Sequence, residues 1–514
     1  MVFSSWKFII LFLPFTLGVF FTIPERFQTA RKLWLVAVSL FFYSCWKLEF
    51  LPLVILSIGF NYMTAEWLCR SQNQARRRGI LSAGVIANLA LLGYFKYTNF
   101  FAQLFGFAVG VKFAHFDILL PLAISFFTFT QISYVVDVFR NRSVHYGFLD
   151  YTLFVSFFPH LIAGPIVRHW EIIPQFAGRD IRPNLRDIKV GLTLFMIGLF
   201  KKVLLADPIG RVADTIFNGV AGGATLTWFD AWFGALAFTV QLYFDFSGYS
   251  DMAIGLARFF SIKFPHNFAS PYKADSPSEF WRRWHVTLTR FLREYVYFPL
   301  GGNRCGNFRQ ALNIMGTMLV SGLWHGAGLT FVAWGCLHGA YLVIEQRWRK
   351  WKEGRGWKFE HWFYRIAATG GTFLAVLCGW VLFRADSFKS AGKVFESMVG
   401  LNGFTLPDNI GQARLFLGTL APKLGATLVP PSIEGLSYSW SVHGLFCLLA
   451  IIWLLPNSQQ MLAAYEPVLE KVPMRNFSGI KLKFATGFAL GAGFFWVVRT
   501  FFSSQTTPFL YFNF

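Results

Sequence analysis

Apolar residues fill this chain in blocks separated by short polar segments. A membrane-crossing helix needs about 20 apolar residues. Blocks that meet or approach that length lie at roughly 7–23, 33–47, 50–69, 80–95, 118–138, 190–206, 231–258, 311–327, 329–346, 364–382, 441–456 and 484–502. The pattern predicts an all-α polytopic membrane protein, a single multi-pass domain over 1–514 with about twelve crossings. The apolar segment between the basic residues at 140–142 and the basic stretch from Arg168 to Lys189 holds Pro159, Gly164 and Pro165. It is expected to be a re-entrant hairpin, because broken backbone persists at membrane depth only where protein or a water-filled cavity surrounds it. The longest stretch without a span, 386–441, carries Pro407, Pro422, Pro430 and Pro431 and an amphipathic helix expected at 387–399. It is expected to be an extracytoplasmic loop region, either receiving a partner or forming a structured cap without one.

Composition agrees with the pattern. Of 514 residues, 55% are hydrophobic, 19% aromatic and 14% charged, with a mean hydropathy of +0.46. A soluble domain carries about 25% charged residues. Disorder is excluded by 63 Phe, 19 Trp and 17 Tyr. Six cysteines, at 45, 69, 305, 336, 378 and 447, show no paired spacing and are expected to be small buried hydrophobes.

The net charge of +21 comes from basic runs between the apolar blocks. Arg26, Arg31 and Lys32 form one, Arg70 with Arg76 to Arg78 another, and Arg347 through Lys358 a third. Such punctuation fits cytoplasmic loops of a membrane protein and not a nucleic-acid surface, so the lipid bilayer is the expected partner and nucleic acid is not. Placing these runs in the cytoplasm puts the N-terminus outside. The first apolar run, interrupted by Pro14 and lacking a small-residue cleavage site, is expected to remain as a span.

Polar residues inside spans are costly and therefore informative. Ser125, Thr128, Gln131, Tyr134 and Asp137 recur every third residue, which makes a slowly winding polar stripe. The stripe lines a cavity or bonds helix to helix. Asp245, four residues after Gln241, must pair with a cation or stay protonated; it either orients a histidine or pairs with an arginine. Ser278 to Leu292 reads as one amphipathic interfacial or re-entrant helix with Trp281, Trp284, His285 and Leu288 on one face. The sharpest feature is Ser321-Gly-Leu-Trp-His-Gly-Ala-Gly328, a histidine flanked by small residues within an apolar run. A neutral imidazole there can accept a proton at cellular pH, and glycines leave room for a substrate. The alternative is a packing histidine. His338, thirteen residues on, reads as structural.

No GxSxG, HExxH, clustered-histidine or Walker A pattern occurs. A nucleophile elbow, a metal site and direct ATP use are therefore not indicated. One or two histidines without a resident nucleophile suggest base-assisted transfer between two bound substrates.

In order along the chain, several pieces carry a resemblance: Met1 to Ser5, Pro121 to Arg140, Leu161 to Ile166, Asp245 to Asp251 and Phe280 to His285. They continue with Pro299 to Asn303, Leu323 to Ala327, Trp380 to Ala385 and Tyr511 to Phe514. Together they resemble the membrane-bound O-acyltransferase (MBOAT) family, in its bacterial alginate O-acetyltransferase branch; His160 departs from the branch. The resemblance implies a ring of tilted transmembrane and re-entrant helices around a central tunnel. It implies that His325 and His285 are catalytic, with Asp245, Trp324 and Asn303 in support, and no metal or permanently bound cofactor. It also implies acetyl-CoA or another acetyl thioester as cytoplasmic donor, and extracytoplasmic acetyltransferase partners of a polysaccharide acetylation complex in the bacterial inner membrane. Other readings are a non-catalytic conduit with a histidine proton relay, and a D-alanyl transferase of the teichoic acid type.

Overall fold

The computed structural model describes residues 1–141, 145–176, 184–357, 361–404, 438–472, 484–503 and 509–510. Among these residues there are helices, turns and extended links but no strand. Each apolar block falls on a helix. Among the described residues, Leu48–Arg70, Gln74–Val109 and Trp362–Arg384 are long and apolar enough by length and composition to cross a membrane. Other blocks are shorter or contain wide helical turns, as at Lys7–Phe12 and Lys201–Ala206. Large apolar side chains such as Leu56, Phe105 and Phe107 are exposed along these helices. In water they would be an aggregation hazard; against lipid they are at home.

Within the span 1–514 the chain forms two compact units, one from 1–199, 249–267 and 458–513, the other from 200–248 and 268–457. The polar stripe belongs to the first, and it bonds helix to helix. Gln131 Nε2 donates to Ser57 Oγ (2.9 Å), and the Tyr151 hydroxyl donates to Gln131 Oε1 (3.3 Å). Asp137 Oδ2 lies 3.5 Å from His169 Nε2, both side chains buried. Asn61 and Asn88 exchange amide hydrogen bonds of 3.1 and 2.7 Å between Leu51–Arg70 and Gln74–Leu92. The segment expected as a re-entrant hairpin is broken into Phe148–Ser156 and Phe158–Leu161, followed by a turn and an irregular link to His169–Phe176. Every residue from 151 to 169 is buried, so protein encloses the break.

In the second unit the helix expected at 387–399 is Phe388–Met398. The prolines at 407, 422, 430 and 431 and the C-terminal Tyr511 to Phe514 lie outside the described residues. The cysteines are a correction: Cys45, Cys69, Cys305 and Cys447 are exposed and Cys336 and Cys378 half-buried. A membrane protein's outer surface is itself apolar, so a thiol need not enter the core to escape water.

Candidate functional site

The site grows from a helical hairpin in the second unit. Gly306–His325 ends on His325, and Leu329–Gly354 begins after Gly326, Ala327 and Gly328. The two helices touch backbone to backbone. A Cβ at Gly322 would stand 2.3 Å from the Phe331 carbonyl oxygen, and one at Gly335 would stand 2.5 Å from that of Met318. A Cβ at Gly326 would collide with the Phe331 ring at 2.2 Å. The small residues around His325 thus hold the hairpin shut and seat a phenyl ring.

Three aromatic rings meet the His325 imidazole nearly edge to face. Trp324 lies at 4.9 Å, Trp334 at 5.0 Å and Phe383 at 5.3 Å between ring centres. The imidazole keeps 3% of its surface exposed, so these rings enclose it.

His285 arrives by a different route. Ser276 caps Pro277–Arg283, its hydroxyl accepting the Glu279 N–H at 3.3 Å. That helix stops at Trp284, whose backbone is extended, and a new one runs Val286–Leu292. Between them His285 adopts φ +42° and ψ 53°, in the left-handed region. The single helix expected over this stretch is therefore broken, and its aromatic face is buried in protein instead of lying at the membrane interface: Trp281, Trp284, His285 and Leu288 are all buried. A non-glycine residue held there costs about 1–3 kcal/mol and persists only where its surroundings fix it. Phe246 at 4.7 Å edge-on, Phe268 stacked at 6.5 Å and Trp324 at 6.0 Å do so. Trp324 therefore stands beside both histidines.

Asp245 and Phe246 are neighbours on Trp228–Phe259. The cation beside Asp245 is a lysine, not an arginine: Lys202 Nζ lies 2.5 Å from Asp245 Oδ1 and 2.8 Å from Asp207 Oδ1, with Lys202 and Asp245 buried. Lys202 sits in the apolar block 190–206, where a lysine was easily passed over. Asn303 is exposed in the turn before Gly306; there Asn313 Nδ2 donates to the Gly302 carbonyl (3.0 Å). It is not among the rings around either histidine.

Sequence reasoning missed a cavity of about 810 Å³ whose charged lining is Arg282, Arg349, Lys352 and Arg365 together with Asp275 and Glu345, beside Trp348 and Tyr364. A smaller one of about 350 Å³ shares Ser278, Arg282 and Arg349 and reaches Trp281. The basic run after Arg347 was the available signal, but it reads equally as a topology marker. Leu329–Gly354 and Trp362–Arg384 both run from this cavity to His325. Tyr341 and Ala375 line it, while Trp334 and Phe383 touch His325. Among the described residues no three His, Cys, Asp or Glu side chains are grouped to hold a metal ion.

The model of "MBOAT, membrane-bound O-acyltransferase family" matches residues 40–383. The chain is 39% identical over 544 residues to a peptidoglycan O-acetyltransferase of Helicobacter pylori, covering 100% of this chain and 98% of that one. It is 41% identical over 436 residues, 84% of each chain, to a protein of Azotobacter vinelandii named "Probable alginate O-acetylase AlgI". A teichoic acid D-alanyltransferase of Streptococcus thermophilus is 26% identical over 250 residues, covering 45% of this chain and 58% of that one.

Proposed function

The chain belongs to the membrane-bound O-acyltransferase family and is a multi-pass membrane acyltransferase, and from that premise we propose that it carries acetyl groups from cytoplasmic acetyl-CoA across a bacterial inner membrane for O-acetylation of a polysaccharide. The names of the two relatives matched over most of their length support acetylation of a bacterial polysaccharide. The observation that carries the reading is the buried His325, reached along two helices from a cavity lined by cations and aromatic rings. Four cationic side chains, which outnumber the carboxylates of Asp275 and Glu345, suit the phosphates of a nucleotide thioester, and Trp348 and Tyr364 suit its base. Arg349 and Lys352 belong to a run that the positive-inside rule assigns to the cytoplasm; the same rule puts the N-terminus in the periplasm.

In the proposed reaction His325 removes the acceptor's hydroxyl proton as the oxygen attacks the thioester carbonyl. A C–O bond forms, the tetrahedral intermediate collapses, the C–S bond breaks, and the proton passes from the imidazolium to the departing thiolate. The transient imidazolium forms at the C-terminus of Gly306–His325, where the helix dipole stabilises positive charge by about 0.3–1 kcal/mol. His285 steadies the developing oxyanion, and Trp324 spaces the two imidazoles. Asp245, neutralised by Lys202, holds the helix that presents Phe246 to His285, a positioning role. The acceptor is a sugar hydroxyl or a hydroxyl of an extracytoplasmic partner protein that completes the transfer.

His325→Ala is expected to abolish polysaccharide acetylation while the protein still inserts and folds. General-base action is worth about 10²–10⁴-fold. Acetyl content of the polymer, measured in cells carrying the variant, checks this; normal content removes the proposal. Supplying D-alanyl and acetyl thioesters to the purified protein separates acetyl transfer from D-alanyl transfer.

A further inference from the structure

One cluster beside His325 has no part in the reaction as written. His338 follows Trp334 by four residues on Leu329–Gly354, so both face one way. Its ring lies 4.8 Å from that of Trp334 and 5.3 Å from that of Trp281, and the two indoles lie 5.7 Å apart. All three side chains are at least nine-tenths buried. His338 Nε2, Trp281 Nε1 and Trp334 Nε1 have no hydrogen-bond partner among the described residues.

Buried polar atoms usually find a partner, and here three without one lie in a single group of touching rings. An indole N–H only donates, and a neutral imidazole donates through whichever nitrogen carries the proton. The cluster therefore calls for an acceptor. It contains no cation to neutralise a full negative charge, and its walls are aromatic. An uncharged carbonyl oxygen that gains charge only in passing fits best.

Two further observations place the cluster on the donor's route. Tyr341, which lines the large cavity, touches the His338 ring at 5.6 Å; Trp334, seven residues nearer the helix start, touches His325. Seven residues of helix rise about 10 Å, well within the reach of an extended thioester arm. On the facing helix, a Cβ at Gly379 would stand 2.6 Å from His338 Nε2. A glycine keeps open the space in front of that nitrogen.

We propose that His338, Trp281 and Trp334 form a donor cradle for the carbonyl oxygen of the acyl thioester, making His338 a third catalytic histidine. The proposal rests on the transferase reading above. No bond is made or broken at the cradle; it joins His285 in holding the oxygen while charge develops on it and releases it when the C–S bond breaks.

The test uses the full-length protein in proteoliposomes with acetyl-CoA and a carbohydrate hydroxyl acceptor. Trp334→Phe and Trp281→Phe keep a ring and remove the N–H. Gly379→Ala leaves all three donors and fills the space before His338. Each is expected to lower kcat by about tenfold or more, short of the roughly 10²–10³-fold seen for a full oxyanion donor. The KM for acetyl-CoA is expected to stay near wild type in each variant, and the thermal unfolding temperature in Trp334→Phe and Trp281→Phe, since the bonds strengthen only in the transition state; Gly379→Ala, which presses a methyl against His338, is expected to unfold somewhat earlier. His338→Asn, which still offers an N–H, is expected to retain more activity than His338→Leu.

Unchanged kcat in Trp334→Phe and Gly379→Ala overturns the proposal. So does a fall in unfolding temperature with kcat intact, which assigns the cluster to a structural water. The underlying transferase reading fails in a different arm, through a His325→Ala protein that still transfers acetyl groups or a wild-type protein that leaves acetyl-CoA intact.

Discussion

His285 meets two demands at once, an imidazole in a dry aromatic setting and a chain path that L-residues avoid. The second demand gives an unusual ordering of variants. Removing the ring costs packing in both His285→Gly and His285→Ala, but only glycine adopts φ +42° freely. His285→Gly is expected to be more stable than His285→Ala by about 1 kcal/mol, the reverse of the order in a helix interior. Thermal unfolding of the two purified variants checks this, and alanine proving the more stable would show that the backbone is not strained. Both are expected to lose transfer activity. His325 stood out as a candidate because small residues flank it in an apolar run. The kink at His285 was not, since neither glycine nor proline marks it and only tertiary packing holds the residue left-handed. The partner of Asp245 was half legible: burial demanded a cation, but nothing local said that it would come from residue 202.

Between neighbouring helices, the glycines divide into those that touch and those that do not. Gly322→Ala and Gly335→Ala each drive a methyl into a backbone carbonyl that cannot step aside. Each is expected to cost about 1–3 kcal/mol. Gly370, in Trp362–Arg384, has nothing within 4 Å of a built Cβ. Gly370→Ala is expected to be neutral or stabilising by up to about 1 kcal/mol through helix propensity. Unfolding midpoints in detergent compare the three directly, and equal effects would contradict the hairpin contact. The helices themselves were readable because a bilayer imposes a minimum length on apolar runs. The tight hairpin was not, because glycines that permit close approach look the same in sequence as glycines that face lipid.

Over the whole molecule basic residues are in excess, and four of them, against the carboxylates of Asp275 and Glu345, line the cavity where the proposed donor binds. A chain of net charge +21 attracts a polyanionic thioester, and the cavity with Arg349 and Arg365 focuses that attraction. Arg349→Glu combined with Arg365→Glu is expected to raise the KM for acetyl-CoA about tenfold or more, with kcat little changed. The wild-type KM is expected to climb with ionic strength as charges are screened. Steady-state kinetics at two salt concentrations test both statements, and a salt-independent KM would remove the cavity from donor binding. This cavity was invisible in the sequence because its lining comes from separate segments near residues 275–282, 341–352 and 364–375. The hairpin around His325 also bears on time. Helices packed backbone to backbone resist sliding apart, so in the proposed reaction admission to the imidazole falls to rearrangement of the side chains around it. Rings buried this tightly do not share the picosecond-to-nanosecond rotamer changes of exposed side chains, so opening the way to the imidazole is expected to stand among the slow steps of each cycle.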